Sequence, residues 1–159
     1  MQVRSRHHLR ADAAADILEH VAAQTGVSLD ADAVEKIEFT DYPRDVISLD
    51  GKPDLAMYQE EPFLTVAGAN RHLPDRHTVT VDAGAVSFVA NGADIMRPGI
   101  VEADGSIEDG DLVCVIEETH GKVLAVGRAL TAGSEMPGDS GRVVETLHHV
   151  GDELFQLEV

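Results

Sequence analysis

Val81-Asp82-Ala83-Gly84-Ala85-Val86-Ser87-Phe88-Val89-Ala90-Asn91-Gly92-Ala93-Asp94-Ile95-Met96-Arg97-Pro98-Gly99-Ile100 decides how the second half of this chain folds. Val81 ends an apolar strand. Val86, Phe88 and Val89 then read as one short helix over Ala83 to Ala90, stopped by Asn91-Gly92. Ile95 opens an extended run to Ile100, which Pro98-Gly99 breaks. Gly84, Gly92 and Gly99 stand eight and seven residues apart, which does not fit the G-x-G-x-x-G pattern, so no nucleotide cofactor is expected. Gly92-Ala93 allows two readings: plain turn chemistry, or a loop whose missing side chain lets a flat base or sugar approach backbone amides. Spacing alone favours the first.

On either side of this stretch the pattern is of short apolar strands between glycine turns. Val79 to Val81, Ile95 to Ile100, Leu112 to Ile116, Val123 to Leu130 and Val143 to His149 predict a small barrel or sandwich. Leu112 to Ile116 and Val123 to Ala129, joined by Glu117 to Lys122, predict a hairpin. Glu108-Asp109-Gly110-Asp111 reads as a turn that caps a strand. Cys114, the single cysteine, sits inside the apolar run and reads as a small core residue.

The first half has a different texture. Leu9, Ala13, Ile17, Leu18, Val21 and Ala22 fall on one stripe at helical spacing, and Gly26 is a natural stop, so a helix over Leu9 to Ala23 is predicted. A weaker helical stretch follows around Leu29 to Val34. Val46-Ile47-Ser48-Leu49, the turn pair Asp50-Gly51, and Leu55 to Tyr58 predict a β-hairpin. Glu61-Pro62-Phe63-Leu64 is expected to open a helix, with proline in its first turn, closing near Gly68-Ala69-Asn70. Asn70 to His77 reads as a linker.

Twenty-nine acidic residues against twelve basic ones give a net charge of -17, which argues against a nucleic-acid partner held by a basic field. The acids are dispersed along the whole length and lysine is reduced to Lys36, Lys52 and Lys122, the composition of a salt-adapted surface. At about 1 M salt the screening length is only about 3 Å, so long-range repulsion from RNA would be largely removed. Val3 to Arg10 is the one basic cluster, in which Arg4, Arg6 and Arg10 read either as an RNA or ribosome contact or as a solvated strand paired with nearby acids. No apolar stretch reaches the ~20 residues of a membrane-spanning helix, and a cytoplasmic location is expected. No G-x-S-x-G, H-E-x-x-H or paired Cys-His set is present, so no catalysis is expected. The pairs His7-His8 and His148-His149 lack a spaced carboxylate or thiolate, and no metal site is expected.

Several motifs in order resemble one family. Val81-Asp82-Ala83-Gly84-Ala85, Gly92-Ala93-Asp94-Ile95-Met96-Arg97-Pro98-Gly99-Ile100, Gly110-Asp111-Leu112-Val113, Ala125-Val126-Gly127-Arg128-Ala129 and His148 to Phe155 resemble the successive parts of a PUA domain, a small RNA-binding pseudobarrel. The resemblance spans residues 77–156, and residues 1–75 are similar to the pre-PUA domain of archaeal relatives of the malignant T-cell amplified sequence, or translation-machinery-associated, family. It implies an α+β chain of two domains that binds tRNA or ribosomal RNA, with the ribosome or a translation factor as a further partner; a monomer is expected, but no residue or motif decides the oligomeric state. Its alternative is a recognition subunit of an RNA-modification machine. In PUA domains RNA lies between the loop after the first helix and a late strand, so the resemblance implies Asn91, Gly92, Ala93 and Arg97 on one wall and Arg128, His148 and His149 on the other. Adjacent strand residues face opposite ways, so at most one of the two histidines can join a given site.

Overall fold

The apolar run at 112–116 shows no polar alternation because it is buried from two sides. The computed structural model describes residues 1–159 and divides the strands between two sheets. The first is an antiparallel meander of β1 (Val3–His8), β2 (Val34–Phe39), β3 (Val46–Leu49), β4 (Lys52–Tyr58) and β5 (Glu61–Leu64), in that spatial order. Helix α1 (Ala11–Thr25) connects β1 to β2, and α2 (Val66–His72) follows β5. The second sheet is built from β6 (Thr78–Val81), β7 (Ile95–Met96), β8 (Ile100–Ala103), β9 (Leu112–Glu117), β10 (Val123–Ala129) and β11 (Arg142–His149). Its spatial order is β7-β11-β10-β9-β6-β8, and α3 (Val86–Ala90) sits between β6 and β7 in the chain.

The strands β7 and β8 stand at opposite ends of that order, yet only the 3-10 turn Arg97–Gly99 separates them in sequence. The sheet must therefore curl until its edges approach each other, which makes a pseudobarrel. The expected single run from Ile95 to Ile100 is thus two strands, because Pro98 cannot donate to a ladder and the chain changes edges there.

On β9, Leu112 and Cys114 join a core shared with the first sheet, while Val113 and Val115 point into the barrel. The shared core holds Ile37, Leu55, Tyr58 and Phe63 of the first unit together with Val123, Val126 and Leu154 of the second. Cys114 has no exposed surface, and burial pushes its thiol up to about 12.

Helix α1, ended by Gly26 in the left-handed conformation, and the Asp50-Gly51 hairpin turn form as their residues predict. Two other expectations fail. Leu29 to Val34 is no helix: so short a segment cannot nucleate one unaided, and Val34 instead opens β2 opposite Leu49. Glu61-Pro62-Phe63-Leu64 is strand β5, paired only with β4, and at a sheet edge the missing proline N–H is not needed. The helix starts at Val66, capped by Thr65, whose hydroxyl accepts the Gly68 amide at 3.0 Å.

The segment read as a linker is held at both ends. Asn70 lies inside α2, and its side chain donates to the Val123 carbonyl at 3.0 Å and accepts the Val123 amide at 2.8 Å. His77 donates its amide to Asp104 at 2.6 Å. No helix is long and apolar enough to cross a membrane.

Helix α2 presses on β4 through Gly68, where a β-carbon would lie 2.1 Å from the Asp54 carbonyl oxygen. The buried Asp54 carboxylate fixes the same contact by accepting Arg71 Nε at 2.9 Å and meeting His72 Nε2 at 2.8 Å. Gly68→Ala is therefore expected to destabilise the protein by about 1–3 kcal/mol, because the obstacle is backbone and cannot rotate away. A urea midpoint equal to that of the wild type would show that α2 can move off β4 without cost.

Candidate nucleic-acid interface

The loop after α3 is set by its own sequence. Asp82 accepts the Ala85 amide at 3.0 Å and starts the turn Ala83–Ala85 that leads into α3. At the helix end, the amides of Asn91, Gly92 and Ala93 all donate back to Phe88 or Val89 carbonyls. The amides that a bound base was expected to approach are thus already used. What the loop leaves open are acceptors, the Gly92 carbonyl and Asn91 Oδ1, since Asn91 Nδ2 donates to Ser87 at 2.8 Å.

Gly92 has a φ of +91°, and a β-carbon there would meet His149 Nε2 at 2.9 Å. The backbone conformation favours glycine, and its bare α-carbon leaves the His149 ring its place. The His149 ring lies with Nδ1 3.1 Å from the Ala90 carbonyl, so the helix end rests on the end of β11. Thr146 ties the same strand to the loop through its hydroxyl, which donates to Ala93 at 2.8 Å, and its amide, which donates to Asp94 at 2.9 Å. Arg142 Nη1 donates to the other Asp94 oxygen at 2.9 Å. Burial pushes the Asp94 carboxyl up, but the Thr146 amide and Arg142 outweigh it and hold the group below its ordinary range.

Beside the loop lies an apolar recess of about 210 Å3 lined by Ala85, Phe88, Val89, Ala93, Ile95 and Met96. Phe88 is 67% exposed and Met96 49%. Val86, Phe88 and Val89 read in sequence as one short helix, and their spacing puts Phe88 on a different face: Val86 and Val89 share a face at i, i+3, and Phe88, two residues from one and one from the other, cannot join them.

Of the residues expected to hold RNA, Asn91, Gly92, Ala93 and His149 come together here. The others do not. Arg97 donates to the carbonyls of Glu135 and Ser140, both at 3.0 Å, and pins the loop that enters β11. Arg128 faces the first unit, where Nη1 donates to Glu61 at 3.1 Å and to the Gly110 carbonyl at 3.0 Å. Arg4, Arg6 and Arg10 pair with Glu38, Glu35 and Asp12 along the outer edge of the first sheet. For Arg4 and Arg6 that is the solvated-strand arrangement, with partners from β2; Arg10 pairs with Asp12 of α1.

The placement of His148 on the RNA wall needs correction, since it has no exposed surface. Strand alternation turns it away from His149 and into the junction of the two units. There Nε2 accepts the Val66 amide at 3.0 Å, so the ring proton sits on Nδ1, which donates to Asp152 at 2.8 Å. Asp152 also accepts the amides of His149 and Phe155, both at 2.9 Å. Burial opposes ionisation, yet these donors bring its carboxyl down to about 2.

The PUA domain family model matches residues 77–151. An uncharacterized protein of Methanocaldococcus jannaschii is 39% identical over 115 residues, covering 72% of this chain and 71% of that one. The chain belongs to the PUA domain family. The crystal structure of a hypothetical protein from Pyrococcus horikoshii superposes on this PUA protein with a TM-score of 0.86 at 30% identity, covering 98% of this chain and 100% of the other. Translation machinery-associated protein 20 of Saccharomyces cerevisiae is 35% identical over 89 residues, covering 52% of this chain. The match spans only 49% of the yeast protein's length.

The Asp152 network should appear in the acid stability of this PUA protein. Its carboxyl is depressed from 3.8 to about 2, so its stabilisation is present above pH ~4 and is lost as pH falls towards 2. Asp152→Asn is expected to remove roughly 1–2 kcal/mol at neutral pH, after discounting for partial solvent screening, with the difference from wild type closing over that acid window. Urea midpoints measured from pH 7 to pH 2 check this, and a constant gap at all pH values would reject it.

Proposed function

We propose that the protein is a non-catalytic RNA-binding component of translation that holds an unpaired stretch of tRNA or ribosomal RNA on the α3–β7 loop. The observation that carries this reading is the pairing of Phe88, largely exposed beside an apolar recess, with a loop whose open groups are acceptors. A base stacking on Phe88 gains about 1–3 kcal/mol whatever its identity. The Gly92 carbonyl and Asn91 Oδ1 suit the amino and hydroxyl donors that bases and ribose carry. Arg142, half exposed and already oriented by Asp94 beside the loop, is a cation available to a phosphate. Stacking and hydrogen bonding, unlike a basic field, survive high salt, which suits a chain of net charge -17.

Support for the translation setting comes from the yeast relative, whose name places it with the translation machinery. The first unit would then present the barrel to the ribosome or to a translation factor.

The test is binding of tRNA and of structured RNA by the full protein in molar salt, followed by fluorescence anisotropy. Binding is expected, and Phe88→Ala should weaken it roughly 5- to 150-fold while leaving the unfolding midpoint nearly unchanged, because the ring is mostly in water. Absence of binding to any RNA would sink the reading. Recovery of an RNA-modifying enzyme instead of ribosomal RNA from a native-salt lysate would favour the modification-machine alternative.

A further inference from the structure

The chain has nine arginines and three lysines against 29 acidic residues, so a cation without a carboxylate partner is unexpected. Arg4, Arg6, Arg10, Arg71, Arg128 and Arg142 all have one. Arg76 and Arg97 bond to main-chain carbonyls instead. Arg44 does neither. Its guanidinium carbon lies 5.3 Å from the centroid of the buried Tyr58 ring, and its one hydrogen bond is Nη1 to the Tyr42 hydroxyl at 3.2 Å. The cation is held in place by an aromatic face while most of its donors stay open.

Arg44 lines a groove of about 520 Å3 between the β2–β3 connection and the β4–β5 turn. Lys36 stands in the same groove, 3.5 Å from Asp45, both side chains about one-third exposed at 35% and 33%. The opposite wall is the turn Gln59-Glu60, whose φ values of 51° and 69° are left-handed in two residues that are not glycine. Such a turn is strained and persists only where its surroundings hold it. Arg128 of the barrel supplies that hold, with Nη2 donating to Gln59 Oε1 at 3.4 Å and Nη1 to Glu61. A strand of the PUA barrel thus shapes a groove on the first unit.

We propose that this groove is a second RNA contact, in which Arg44 and Lys36 take a phosphodiester of the strand held by the barrel and Arg128 positions the groove wall. It rests on the RNA-binding reading above. The groove mixes two cations with the carboxylates of Asp45 and Glu60, and a ribose-phosphate chain matches that mixture: phosphates meet the cations, and 2′-hydroxyls donate to the carboxylates. An acidic peptide would bring further carboxylates up to Asp45 and Glu60, with only its main-chain amides to set against them. A DNA strand lacks the hydroxyls. At molar salt only contact-range pairs remain effective, and a planar guanidinium donating directly to a phosphate is one.

The experiment titrates the full protein with single-stranded oligouridylate across a salt series, using fluorescence anisotropy. Arg44→Gln and Lys36→Gln are each expected to weaken binding about 3- to 10-fold and to lower the salt slope by about one, as removal of one phosphate contact does. Arg128→Ala should weaken binding with the slope unchanged, since it touches the turn and not the phosphate. The deoxy oligonucleotide should bind more weakly to the wild type, and oligoglutamate should not displace the RNA. Lys36→Gln guards against a folding defect from loss of the Arg44 to Tyr58 contact. Unchanged affinity and slope in both groove variants, with Phe88→Ala still weakening binding, would overturn the groove and leave the barrel reading intact. Displacement by oligoglutamate would overturn it in favour of an acidic peptide. No RNA binding at all would overturn both.

Discussion

The two-sided burial of β9 is the constraint on which the rest of the structure depends. A strand covered on both faces is apolar through its middle, as Leu112 to Ile116 are, and it must have a partner layer on each side. The barrel supplies one layer and the first sheet the other, so the chain has two sheets but no clean division between their cores. The polar ties at the junction follow from this closeness. Asn70 can reach the Val123 main chain, and His148 the Val66 amide, only because Leu112, Cys114, Val126 and Leu154 bring the units into contact.

The same constraint sorts the functional candidates. On β10 and β11 the side chains that face the first unit are spent on the junction, as with Arg128 and His148. Those facing the other way, above all His149, are free to support the α3–β7 loop. Arg128 still bears on function, because the turn it holds forms one wall of the Arg44 groove. The surface that remains available is poor in charge and rich in acceptors and exposed apolar groups, which agrees with a chain in which carboxylates outnumber cations by more than two to one.

The second half of the chain was the more legible in sequence because glycines and prolines punctuate it at positions fixed by backbone geometry. Gly92, Pro98-Gly99 and Gly110 mark turns whose residues leave little choice. The first half misled where one residue type serves two structures: Pro62 suits a first helical turn and an edge strand equally, and only pairing with β4 decides. Thr65 carried a capping signal that would have placed α2 correctly. For His148 and Arg128 nothing local could help, since their roles depend on a surface contributed by residues more than sixty positions away, Val66 and Glu61. Arg44 was silent for a related reason, as its meaning comes from the absence of an ion pair in three dimensions although Asp45 and Glu60 line the same groove.

Cys114 lies at the junction with no exposed surface, and its thiol is pushed up to about 12, so in the closed protein it is neither accessible nor ionised. A thiol reagent can reach it only when the first unit parts from the back of β9 or the barrel opens. The rate of its modification is therefore a clock for the breathing of the molecule, written into the sequence as a single thiol.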